Sequence, residues 1–176
     1  MKLGYALCGS FCTHARSLEL LRRLALSHEI VPIVSEHVAT TDTRFGRAAD
    51  LISELEAICG RPVISSIVDA EPLGPAEPLD ALMIAPCTGN TLAKLAHGIT
   101  DTAVTMAAKA HLRCDRPLVI ALATNDALSA NLANLALMRM KKNVYFVPLY
   151  RDDPEKKPHS LVCDFSAAEE TLELII

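Results

Sequence analysis

The chain has 176 residues and a formal net charge of −4, and 51% of it is apolar. That length predicts a single domain over residues 1–176 with room for a substantial core. The charge balance, and the lack of any Lys/Arg cluster interleaved with aromatics, exclude a nucleic-acid footprint. No apolar run reaches membrane-spanning length.

There is no Trp and only 4% of residues are aromatic, so Ala, Leu, Ile and Val must build the core. Such a composition suits helices packed on a buried parallel sheet. Leu3 to Leu7 is a first strand; its apolar stretch is short and runs straight into Gly9-Ser10, unlike a leader, so a cytosolic protein is expected. Leu18, Leu21, Leu24 and Ala25 share one helical face. Ile30 to Val34 reads as a second strand, closed by Ser35. From Phe45 to Cys59 apolar residues keep the helical period, and Gly60 takes the position after the last turn. Pro62-Val63-Ile64 is a candidate short strand, and Pro72, Gly74, Pro75 and Pro78 form a rigid connector.

Ala81 to Ile84 is a buried strand that enters the turn Ala85-Pro86-Cys87-Thr88-Gly89-Asn90-Thr91, after which Leu92 begins a helix. Asp101 is a candidate N-cap for the next helix. Pro117 to Ala123 is a further strand, ending in Thr124-Asn125-Asp126. Leu128 to Met140 reads as a helix and Val144 to Val147 as a strand, and Ser166 with Glu169 has capping-box spacing for the last helix. Strands alternating with helices imply parallel pairing through right-handed crossovers. The expected fold is therefore α/β: a three-layer, doubly wound parallel sheet of Rossmann-like type.

Three polar turns of small residues follow strands: Gly9 to Thr13, Pro86 to Thr91, and Thr124 to Asp126. In an open α/β sheet, ligands bind beyond the carboxyl ends of the strands. A strand–turn–helix unit offers amides, hydroxyls and a helix dipole to an anion. A plain N-cap by Thr88 or Asn90 explains the middle turn as well. Gly9 stands alone where the dinucleotide fingerprint needs three glycines, so a pyrophosphate cradle is excluded, while a single phosphate held by Gly9, Ser10 and Thr13 fits. The P-loop, G-x-S-x-G and H-E-x-x-H motifs are absent. Six cysteines, at 8, 12, 59, 87, 114 and 163, form no C-x-x-C unit, and no metal site is expected.

Gly9-Ser10, Pro86 to Thr91 and Ala123-Thr124-Asn125 resemble the FMN-binding flavoprotein family of cysteine decarboxylases and flavin prenyltransferases. The middle segment is similar to that family's P-A-S-A-N-T signature and the third to a degenerate P-x-M-N. Four further blocks resemble the branch of the dipicolinate synthase B subunits: Thr43 to Gly46, Ala70 to Pro75, Thr124 to Leu128, and Asp152 to Pro158. The resemblance implies FMN as cofactor, with Gly9, Ser10, Thr13, Ser35, Thr88, Asn90, Thr91 and Asn125 around it. It implies Asn125 as a ligand of the substrate carboxylate.

Arg44 is a second candidate for that role, since a dicarboxylate calls for a guanidinium; a plain surface arginine is the alternative. The branch further implies an NAD(P)-binding partner, the A subunit of dipicolinate synthase. It implies oxidation of a dihydrodipicolinate-type intermediate to dipicolinate in the mother cell of a sporulating bacterium. A homo-oligomer is implied too, and the helix Thr102 to His111, rich in Ala and Met and poor in charge, is the candidate contact by its composition. The decarboxylases carry a histidine before the P-A-S-A-N-T strand. None occurs here between His37 and His97, where the matching stretch is Pro75 to Leu79. Catalytic residues stay unassigned.

Overall fold

A computed structural model describes residues 1–175. Its strands are β1 (Lys2–Leu7), β2 (Glu29–Val34), β3 (Ala81–Cys87), β4 (Leu118–Thr124), β5 (Val144–Phe146), β6 (Leu149–Tyr150) and β7 (Leu161–Cys163). Its helices are α1 (His14–Leu24), α2 (Glu36–Thr40), α3 (Ala48–Cys59), α4 (Ile67–Ala70), α5 (Gly89–His97), α6 (Ala103–Leu112), α7 (Leu132–Arg139) and α8 (Ala168–Glu173). The first five strands are parallel in the order β2-β1-β3-β4-β5. At its carboxyl end β4 changes partner: Ala123 and Thr124 pair antiparallel with β7, which pairs with β6. Pro32, which has no N–H to give, sits on the edge strand β2, where it is tolerated.

Two cores cover the two faces of the sheet, as the alternation in β1 requires. Leu3, Tyr5 and Leu7 join one face with Leu20 and Leu21 of α1 and Leu55 of α3. Ala6 and Cys8 join the other with Leu92 of α5 and Val104, Ala107 and Ala108 of α6. This is the doubly wound three-layer architecture. The Tyr5 hydroxyl, wholly buried, donates to the Ser17 carbonyl at 2.9 Å, and the Ser17 hydroxyl donates to the Ala85 carbonyl at 2.6 Å. That chain fixes α1 over β1 and β3. No helix among the described residues is long and apolar enough to cross a membrane.

Several local expectations are corrected. Thr102, not Asp101, caps α6, in a reciprocal box with Thr105, while Asp101 pairs with Lys94 at 2.8 Å. The Ser166–Glu169 box does not form. Asp164 accepts from the Ser166 amide at 3.0 Å, and Glu169 pairs with Arg23. The helix expected from Phe45 starts at Ala48, because Thr43 and Gly46 close a turn. That expected from Leu128 starts at Leu132, because Asp126 folds residues 126–131 into turns. The strand at Val144 stops at Phe146, and of the Pro62 segment only Ile64 bridges to the sheet. The Ala-rich face of α6 is consumed within the chain: Ala103, Ala107, Ala108 and Ala110 are buried, and a Cβ on Gly74 would meet the Ala110 carbonyl oxygen at 2.6 Å. It is no free contact surface.

Candidate functional site

The connection leaving β1 runs to β2 on one side, and the connection leaving β3 runs to β4 on the other. The crevice beyond the carboxyl ends of β1 and β3 is therefore the switch point of the sheet. The first two polar turns meet there. The Cys8 amide donates to the Pro86 carbonyl at 3.1 Å, and the Thr91 hydroxyl donates to the Cys8 sulfur at 3.3 Å.

The first turn is folded tightly on itself. The Cys8 carbonyl accepts from the Ser10 amide at 2.9 Å and from His14 Nε2 at 2.9 Å. Burial holds the His14 pKa below its ordinary value, so the neutral ring donates through Nε2–H. Thr13 is buried and donates both its amide and its hydroxyl to the Ser10 carbonyl. Its hydroxyl thus shapes the turn, and the Ser10 amide and carbonyl are both used inside it.

In the second turn Thr88 caps α5: its oxygen accepts the Thr91 amide at 3.1 Å, and its hydroxyl donates to Thr91 Oγ1 at 3.1 Å. The Leu92 amide returns to the Thr88 carbonyl, which leaves the Gly89 and Asn90 amides as open donors at the positive end of α5. Asn90 is exposed and Thr91 buried. Cys87 is fully buried and burial raises its pKa. Cys8 is pushed up to about 11 by burial, against the Thr91 hydrogen bond. Both stay neutral thiols. Ser35 ends β2 next to β1, its amide on the Leu7 carbonyl at 3.0 Å, and its hydroxyl makes no cap bond to α2.

The third turn lies against the second. A Cβ on Gly89 would stand 2.6 Å from Asn131 Nδ2, 2.6 Å from Thr124 Oγ1 and 2.8 Å from Asp126 Oδ1, so only glycine fits. Asn125 is exposed beside this contact. The Asp152–Pro158 loop reaches the same edge, for it joins β6 to β7. Leu161 lies opposite Thr124, and the Leu128 amide donates to the His159 carbonyl at 2.9 Å.

Arg44 is exposed and stacks its guanidinium over Phe45 at 4.8 Å, on the α2–α3 connection. That connection borders a cleft of about 280 Å³ lined by Phe11, Cys12, Phe45 and Arg47 among others. Arg47, which sequence reasoning missed, lines the cleft where Arg44 does not; only its place three residues after Arg44 signalled it. Lys109 is exposed on α6. Asn131, and the part Asp126 plays in holding the third turn, were missed as well. Their signal is the run of Asx residues at 125, 126, 131 and 134, which suits turn and cap chemistry.

The chain matches the Flavoprotein family over residues 1–174. It is 43% identical over 173 residues to the B subunit of dipicolinate synthase from Bacillus subtilis (strain 168), covering 98% of this chain and 86% of that one. Among solved structures it superposes on the dipicolinate synthase B subunit from Bacillus halodurans with a TM-score of 0.89 at 43% identity, covering 98% of this chain and 89% of that one. The FMN-dependent cysteine decarboxylase SpaF gives a TM-score of 0.73 at 25% identity over 99% of this chain and 97% of its own. With its strand order, its switch-point crevice and these relatives in agreement, the chain belongs to the flavoprotein family, in the branch of the dipicolinate synthase B subunits.

Proposed function

We propose that the chain works as the B subunit of a dipicolinate synthase in the mother cell of a sporulating bacterium. In this reading it holds FMN by its phosphate at the β1/β3 crevice and works with an NAD(P)-binding A subunit. The observation that carries it is the convergence of the Gly9-Ser10 and Thr88–Thr91 turns, joined through Cys8, in a chain 43% identical to such a protein. The donors there suit a phosphate: the open Gly89 and Asn90 amides at the positive end of α5, held in place by the Thr88 cap. The buried thiols add no charge against it.

When bound, FMN supplies a ring that takes up two electrons. Oxidation of a dihydrodipicolinate-type intermediate to the aromatic dicarboxylate removes a hydride, which the nicotinamide of the partner takes, and a proton, which passes to solvent. Asn125 and Arg44 meet the substrate carboxylates, and the Asp152–Pro158 loop closes that edge or meets the partner. A flavin-dependent decarboxylase is disfavoured. Pro75 to Leu79, where the decarboxylases place their histidine, offers no imidazole, and its Leu79 is buried packing.

The test is a flavin-fluorescence titration of the purified full chain and of Ser10→Ala and Thr88→Ala. Ser27→Ala, exposed where β2 begins on the opposite edge of the sheet, is the control. Charge-assisted hydrogen bonds of roughly 1.5–3 kcal/mol each predict a loss of about ten- to a hundredfold for the first two and none for the control. Equal affinity in all variants places the phosphate elsewhere. Colourless protein that binds no flavin, yet raises dipicolinate formation when mixed with the NAD(P)-binding partner, replaces the cofactor role with a scaffold role.

A further inference from the structure

A line of side-chain hydrogen bonds runs from the far end of α5 through α7 to the third turn. His97 Nε2 meets Asn134 Oδ1 at 3.1 Å, Asn134 Nδ2 donates to Asn131 Oδ1 at 2.9 Å, and Asn131 Nδ2 donates to Asp126 Oδ1 at 3.0 Å. The Thr124 hydroxyl donates to the same Asp126 oxygen at 2.6 Å. Every donor points toward Asp126. Reversing the Asn131 amide would set its oxygen against the carboxylate, so Asp126 dictates the orientation of the whole line, and aligned amides strengthen one another.

Asn131 is 6% exposed, and its amide also donates to the Asp126 carbonyl at 3.0 Å, beside the Ser129 amide at 3.1 Å. Asp126 thereby gathers residues 124–131 from both its side chain and its backbone. The gathered group sits on Gly89, where the approach leaves no room for a methyl. Asn125, between the two clasped residues Thr124 and Asp126, makes no hydrogen bond within the described residues.

We infer that Asp126 is a positioning residue. Its carboxylate locks the β4 turn onto the first residue of α5, and so fixes Asn125 at a set distance from the Thr88–Thr91 turn. The use of Asn125 on a substrate carboxylate rests on the function proposed above; the lock itself does not. The lock needs an acceptor rather than a charge. Asn at 126 keeps a carbonyl oxygen for both Thr124 and Asn131, whereas Ala removes it.

The experiment takes the full-length chain with FMN and compares wild type, Asp126→Asn, Asp126→Ala, Asn125→Ala and the double variant Asn125→Ala/Asp126→Ala. Amide hydrogen exchange over residues 124–131 reads the lock, and calorimetric titration with dipicolinate reads its use. Asp126→Ala should speed exchange in that segment and weaken dipicolinate by about tenfold, the cost of freeing one well-held polar group. Asp126→Asn should stay near wild type in both. The double variant should bind no worse than Asn125→Ala, since Asp126 acts through Asn125. Unchanged exchange in Asp126→Ala, or Asp126→Asn behaving like Asp126→Ala, overturns the inference. Faster exchange in Asp126→Ala, in a protein whose wild type binds no dipicolinate, upholds the lock and rejects the substrate reading instead.

Discussion

Two histidines set how the protein meets acid. His14 donates Nε2–H to the Cys8 carbonyl, and His111 Nε2 donates to the Pro117 carbonyl at 2.8 Å. Burial lowers both below the ordinary value of 6.5, and the buried Nδ1 of His111 has no partner to receive a second proton. The unfolded chain then binds protons more readily than the folded one. Stability is complete above pH 6.5 and falls as pH drops through that value toward the lowered native pKa. Denaturant midpoints measured at neutral pH and one unit below 6.5 should show the loss, and His111→Gln, which keeps an N–H donor but does not titrate, should reduce it. An identical pH dependence in His111→Gln would mean the buried ring is not a source of acid sensitivity.

Helix ends illustrate how local chemistry outweighs a plausible sequence pattern. Asp101 and Thr102 are adjacent, and either can cap. The threonine is chosen because Thr105, three residues on, returns a hydroxyl to its backbone, while Asp101 turns out to solvent toward Lys94. Thr102→Ala should therefore lower stability by about 0.5–2 kcal/mol. Asp101→Ala should leave the thermal midpoint in place, because exposed ion pairs contribute little. The same competition displaced the start of α7. Leu128 to Met140 has the apolar spacing of a helix, but Asp126 recruits Ser129 and Asn131 and postpones the helix to Leu132. The helix α1 was legible because one buried face enforces its period, and β1 and β3 because burial on both faces makes them continuous apolar runs. The clasp around Gly89 was not legible, because it joins residues from three elements.

On the scale of the molecule, the alternation of strands and helices predicted the parallel sheet and placed all three polar turns on one edge. The return of the chain through β6 and β7 was missed, since strands of two and three residues leave too little pattern to read. The sequence also pointed to the wrong self-association surface, for α6 is sealed against the sheet. Exposed apolar side chains lie elsewhere, among them Leu132, Leu137 and Met140 on α7 and its end. For the homo-oligomer that the resemblance implies, α7 is the candidate contact. Sedimentation should show an oligomer at micromolar concentration that Leu137→Glu shifts toward monomer; an unshifted oligomer would rule α7 out.

The change of partner along β4 also imposes an order in time. As the chain leaves the ribosome, β1 to β4 can pair soon after they emerge, and β5 follows within some two dozen residues. The last two residues of β4 keep one side open until Leu161 and Val162 arrive from far downstream. The third turn and its Asn125 are thus finished last, after both turns at the crevice. A half-made chain already has the two turns that meet at the crevice but lacks a settled third turn.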